Sequence, residues 1–260
     1  MNAIVNLDQN EVEKLQKTFD EYITSKTCDA LSTLFSEPIR HKINTVEQGV
    51  SKFQNIKFPS DEIKMCGVRL NGKGDTHIEI CFTIKLKHAK KIAAKLLCEE
   101  DVYEIDEMGT SAIQEVANIL TGSFFNAMAS GTGFRVDLST PDFAQGELAP
   151  IIRVVAKDVT NTLDSVVVTD TELICEKSGI KIHMLIMQDP ENARKLLSKT
   201  STATFNKELV KGFSNSTSIG GPSNDLDETL ENNSSSDYKL GSENSELDSI
   251  VNDALKEESK

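Results

Sequence analysis

The chain contains a displaced copy of itself. Shifted by 94 residues, an apolar-striped segment running from Glu11 to about Phe35 falls on a second one that starts at Glu107. Phe19 then meets Ile113, Ile23 meets Ala117, Ala30 meets Phe124 and Leu34 meets Met128, while Glu21 lands on Glu115. With a one-residue gap the match continues, IRHKINTVE (Ile39 to Glu47) lying against FRVDLSTPD (Phe134 to Asp142) with an Arg and a Thr shared in place. A chain built this way must place two similar units about an approximate two-fold axis, and each unit must bury its apolar stripe against something common to both.

The common element reads as a sheet. The alternating THIEICFTIKL (Thr76 to Leu86) follows a turn signal at Asn71-Gly72-Lys73-Gly74, and its counterpart GIKIHMLIM (Gly179 to Met187) follows Lys177-Ser178. Short helices, Ala89 to Leu97 and Glu191 to Leu197, come next in each unit. Further strands are expected at Ile63 to Leu70 and Ile151 to Val155, and at Asp164 to Val168 and Glu172 to Glu176 around a turn at Thr169-Asp170. Asp8 and Glu11 predict a capping box for the first long helix, whose core stripe is Val12, Leu15, Phe19, Ile23, Ala30 and Leu34. The expected fold class is α+β, a single pseudo-two-fold domain over residues 6–199 with two long helices packed on a β-sheet. Its halves are 8–100 and 101–199.

The second long helix carries the feature that points to function. Ile113, Val116, Ala117, Leu120, Phe124 and Met128 form its buried stripe. On the opposite side Ser111, Glu115 and Asn118 fall within roughly 60° of one another, and Gly122 continues their row one turn later. A carboxylate and a carboxamide thus share an exposed ridge. Glycine costs a helix roughly 1 kcal/mol relative to alanine, so Gly122 suggests close approach of something to the backbone. Taken alone, a Ser, a Glu and an Asn at helical spacing describe a solvated face as well as a site.

The fuller pattern, Ser111-x3-Glu115-x2-Asn118-x22-Pro141, resembles the signature of the CheC/CheX/FliY family of response-regulator phosphatases. The resemblance implies a CheC-like domain that hydrolyses the aspartyl phosphate of a CheY-like regulator. Asn118 would hold the attacking water, and Glu115 would pair with the regulator's phosphate-binding lysine; these two are the expected catalytic residues. A neutral carboxamide suits the first task because it donates one hydrogen bond and accepts another without changing protonation. Ser111 would support Glu115 or merely solvate the helix, and Pro141, with its fixed φ, would shape the loop beside it. In the first half the corresponding positions hold Lys17, Glu21, Thr24 and Val46, a degenerate site in which threonine is too short to replace the amide. Having the motif only in its second half, the chain is more similar to CheX than to a two-site CheC. No cofactor of its own is implied, Mg2+ being expected on the regulator.

Composition narrows the other possibilities. A net charge of -13 argues against nucleic acid, whose binding needs clustered cations. The one such cluster, Lys85, Lys87, Lys90, Lys91 and Lys95, reads as the solvated flank of a helix. His41, His77, His88 and His183 lack metal-ligand spacing, and Gly72-Lys73-Gly74 lacks the context of a phosphate cradle. Cys28, Cys66, Cys81, Cys98 and Cys175 are odd in number and irregular in spacing, which suits reduced core thiols. Without a signal peptide or an apolar run long enough to span a membrane, a cytoplasmic protein is expected.

From residue 200 the composition changes. Residues 200–260 hold twelve Asp and Glu against five Lys and are rich in Ser and Asn, which predicts a disordered acidic tail. Within it, residues 245–256 place Leu247, Ile250, Val251, Ala254 and Leu255 at helical spacing, a short helix for a partner. The alternative to the enzyme is a non-catalytic adaptor of the same fold, bound to a CheD-like deamidase or to a flagellar switch.

Overall fold

The computed structural model describes residues 6–49, 65–146, 148–160 and 165–200. The expected disordered acidic tail and the helix expected at 245–256 lie outside them. The first long helix is assembled from α1 (Gln9–Tyr22), a π-helical turn at Ile23–Thr27 and α2 (Cys28–Phe35). Its start is the expected capping box: the Glu11 amide donates to Asp8 at 2.8 Å and the Asp8 amide to the Glu11 carboxylate at 2.9 Å. The chain continues through β1 (Ile39–Gln48), β2 (Met65–Gly74), β3 (His77–Lys85), α3 (Leu86–Leu97) and α4 (Glu107–Thr132). Next come β4 (Val136–Leu138), β5 (Asp142–Gly146), α5 (Leu148–Val159), β6 (Val167–Cys175) and β7 (Lys181–Gln188), and a helix α6 over residues 190–200.

The seven described strands form one antiparallel sheet in the order β1-β6-β7-β3-β2, with β4 and β5 both paired along the outer side of β2. The two halves are interlaced. The central pair β3 and β7 comes one from each half, and each half lends its edge strand to the other: β1 lies on β6, whereas β4 and β5 lie on β2. The two long helices cover one face. Phe19, Leu31, Phe35, Phe124 and Met128 interdigitate there with Val68, Ile80, Phe82, Ile182 and Met184. Phe124 is the hinge of this packing, with edge-on rings at 5.5 Å (Phe19), 6.1 Å (Tyr22) and 5.6 Å (Phe125).

The π turn alters the internal repeat. It takes up one additional residue, so everything after it rotates by about 100° relative to an uninterrupted helix. The 94-residue shift therefore holds only as far as Ile23. Beyond the turn the fully buried residues are Leu31 and Phe35, which replace Ala30 and Leu34 as partners of Phe124 and Met128; those two are only half-buried.

Three further expectations are corrected. Ile151 to Val155 belongs to helix α5 rather than to a strand. Ile152, Val155, Ala156 and Val159 recur at helical spacing and form a second, smaller core with Met65, Cys81, Leu185 and Met187 on the reverse face of the sheet. Thr169-Asp170 is not a turn but the middle of β6. Asp170 is held there by His183 Nδ1 at 3.0 Å and by the Asn44 amide at 3.1 Å, so its polarity is satisfied inside the sheet. Finally, Asn71 to Gly74 continues β2, and the hairpin closes at Asp75 and Thr76. A Cβ on Gly72 would sit 2.5 Å from the Phe125 ring, so this glycine admits α4 to the sheet rather than bending the chain.

The thiols match expectation: Cys28, Cys66, Cys81 and Cys175 are buried and only Cys98 is exposed. The lysine flank does more than solvate α3. Lys91 Nζ donates to the Ser178 carbonyl at 3.1 Å, and Lys95 pairs with the buried Glu37 at 3.1 Å. No helix among the described residues is long and apolar enough to cross a membrane.

Candidate functional site

Helix α4 is the longest element among the described residues, and its two ends are both secured. Asp106 accepts the Gly109 amide at 2.8 Å as N-cap. Gly133 closes the other end at φ 73°, its amide returning to the Ala129 carbonyl at 2.8 Å. Between them the apolar stripe is fully buried, and Gly131 lets the helix approach α1 closely, since a Cβ there would lie 2.9 Å from the Tyr22 hydroxyl. The side chains on the outer face thus stand on a backbone that cannot easily shift.

On that face Ser111, Glu115 and Asn118 are all exposed, as the periodicity predicts. Glu115 and Asn118 make no hydrogen bond or ion pair with any described residue. They project from one surface three residues apart, with every donor and acceptor free for an incoming group. Gly122 is half-buried, and a Cβ there would meet nothing within 4 Å. Packing within the chain therefore does not demand a glycine; the space above it is open.

Of the two roles open to Ser111, the structure supports the second. Its hydroxyl donates to the Glu107 carbonyl at 2.9 Å, a bond to the preceding turn of its own helix, and it does not orient Glu115. Pro141 stands in the short break between β4 and β5, beside the helix. Its carbonyl accepts a hydrogen bond from Gln114 Nε2 at 3.0 Å. Gln114, the immediate neighbour of Glu115, is thus the side chain that sequence reasoning missed. It ties the motif proline to the motif helix and fixes the loop against the flank toward which Asn118 leans. The sequence carries no signal for it, because the contact depends on where the fold places Pro141.

The degenerate positions differ on each count. Lys17, Glu21 and Thr24 are exposed on the first long helix, so the ridge survives in outline, but Thr24 lies inside the π turn. Val46 sits within the long strand β1, where the second half has Pro141 in a strand break. Asp20, which corresponds to Gln114, is instead engaged by His41 Nε2 at 2.8 Å. Among the described residues no group of three or more His, Cys, Asp or Glu is placed to hold a metal ion.

The comparisons with known proteins bear on this same stretch. A CheC-like family model matches residues 108–144, which run from the first turn of α4 through Pro141 into β5. A curated relative, the CheY-P phosphatase CheC of Bacillus subtilis, is 23% identical over 146 residues, 54% of this chain and 69% of its own. Over this stretch the chain is similar to the CheC-like family. The solved structures agree on the fold. Thermotoga maritima FliY is matched with a TM-score of 0.62 and 16% identity over 76% of this chain and 100% of that one. FliM in the FliM-SpeE complex of H. pylori is matched with a TM-score of 0.55 and 10% identity over 76% and 98%. A CheC-like α+β fold is thereby shown, and the family match includes the ridge.

Proposed function

We propose that this CheC-like protein hydrolyses the aspartyl phosphate of a CheY-like response regulator, using α4 as the element that enters the regulator's site. In-line attack of water on phosphorus needs little from the phosphatase beyond placing the water, because the regulator's own metal ion and lysine meet the charge on the phosphoryl oxygens. Asn118 holds the water through its amide. Glu115 pairs with the regulator's lysine and so anchors the helix. Gln114 and Pro141 keep the flank of the helix fixed while this happens, and Gly122 leaves room for the regulator's surface. The observation that carries the reading is the unengaged carboxylate and carboxamide, side by side on a rigid, doubly capped helix. The curated relative named a CheY-P phosphatase supports it.

An adaptor of the flagellar-switch kind is the second reading, favoured by the likeness of the fold to FliM, which was crystallised with SpeE. Phosphate release from a phosphorylated CheY-like receiver separates the two. The enzyme should accelerate release, Asn118→Ala should bind but not accelerate, and Glu115→Ala should lose binding as well. Equal release with wild type and Asn118→Ala would make the protein an adaptor.

A further inference from the structure

Three large apolar side chains are conspicuously exposed among the described residues: Tyr103 (82%), Met108 (63%) and Leu138 (40%). Two of them border the Glu115–Asn118 ridge. At 100° per residue Met108 lies within about 20° of Glu115, two turns nearer the N-terminus, so it heads the same row. Leu138 pairs with Gly72 across the β2-β4 ladder, which puts the two residues on one face of the sheet. That face is the one where the Phe125 ring of α4 fills the space above Gly72. Leu138 therefore stands beside α4 on the Pro141 flank, the side to which Asn118 is turned. The polar pair is thus bordered by an apolar residue at its end and another along its side.

The other half of the molecule provides an internal control. Under the 94-residue shift Met108 corresponds to Lys14, which is exposed and charged. The strand register that matches Pro141 with Val46 matches Leu138 with Ile43, half-buried in β1. The half that lost the Asn also lacks the apolar border. A solvated helix on an acidic protein gains nothing from an exposed methionine, whereas a face that must exclude water around a phosphoryl group does.

We infer that Met108 and Leu138 are the apolar contacts by which this protein grips the receiver domain of its regulator, determining affinity and partner choice while Glu115 and Asn118 act on the phosphoryl site. This rests on the reading given under Proposed function. Methionine is suited to the role, since its flexible thioether adapts to an irregular apolar surface.

The test uses the full chain with a CheY-like receiver carrying magnesium and beryllofluoride for binding, and the same receiver phosphorylated for turnover. Met108→Ser and Leu138→Ser should each raise Kd and KM about tenfold with kcat unchanged, and Met108→Leu should restore both. Lys14→Ser, the matching change in the first half, should alter neither. If wild type binds and hydrolyses but the two serine variants match it, or if they lower kcat at constant KM, the inference is overturned and the phosphatase reading stands. If wild type neither binds nor hydrolyses, the phosphatase reading fails and takes the inference with it.

Discussion

The two long helices occupy equivalent places on the sheet and differ in how they end and what they hold. The second is an uninterrupted α-helix of 26 residues, capped by Asp106 and Gly133 and braced sideways by Gln114 on the Pro141 carbonyl. The first contains a π turn and ends at Ser36, a non-glycine residue in the left-handed region at φ 54°. That conformation costs about 1 kcal/mol and is held in place by the neighbouring residues. Ser32 donates to the Glu37 carbonyl at 2.8 Å, and the buried Glu37 carboxylate accepts the Lys177 and Ser178 amides, each at 2.8 Å, besides pairing with Lys95. The first half thus commits its polar groups to holding the domain together. The second half keeps Glu115 and Asn118 outside and unoccupied.

The sharpest way to break this contrast is to remove the corresponding residues one at a time. Asn118→Ala should lower phosphate release from a phosphorylated receiver by about 100-fold, the scale expected when a reacting group is no longer positioned, while Thr24→Ala leaves the rate unchanged. Equal effects would mean that the halves are not functionally distinct. Next comes the seat of α4: Gly72→Val would drive a side chain into the buried Phe125 ring and should destabilise the fold by about 2–3 kcal/mol in urea denaturation.

Glu37→Gln should cost about 2 kcal/mol, since an ion pair and charge-assisted hydrogen bonds to two amides are weakened together. Burial alone would raise the Glu37 pKa, but the Ser178 and Lys177 hydrogen bonds and the Lys95 ammonium outweigh it and bring it from 4.5 to about 2. Between those values the unfolded chain binds more protons than the folded one. The stabilisation is therefore complete above about pH 4.5 and is lost as the pH falls toward 2, so the variant should show a flatter acid limb than wild type. Gln114→Ala should have a smaller effect, about 1 kcal/mol, seen as a several-fold lower kcat with the melting temperature nearly unchanged. Smallest of all, Lys17→Ser with Thr24→Asn in an Asn118→Ala background should restore no activity, because the π turn and the unbroken β1 remain.

The long-range plan of the fold was legible because it is written twice. The repeat as far as Ile23, the capping box at Asp8 and Glu11, and the strands β3 and β7 appear where the sequence places them. The failures share a cause: residues whose local meaning is overridden by a tertiary partner. Thr169-Asp170 looks like a turn until His183 and Asn44 satisfy the aspartate. Gly72 looks like a turn until Phe125 occupies its missing side chain. The run Ile151 to Val155 is too short to distinguish strand from helix without knowing that the reverse face of the sheet needs a cover. The exposed placement of Glu115 and Asn118 could be read from helical spacing, whereas the Gln114 brace could not, since it depends on where Pro141 stands in space.

The exchange of edge strands has a consequence for any attempt to divide the molecule. A fragment ending in the loop before α4 would keep β1 but lose β6, keep β3 but lose β7, and keep β2 but lose β4 and β5, leaving three rows of backbone amides and carbonyls open to solvent. Such a fragment cannot close its own sheet. It would have to recruit a second polypeptide strand for strand, so the pseudo-dimer is topologically inseparable even though only one of its helices retains the working motif.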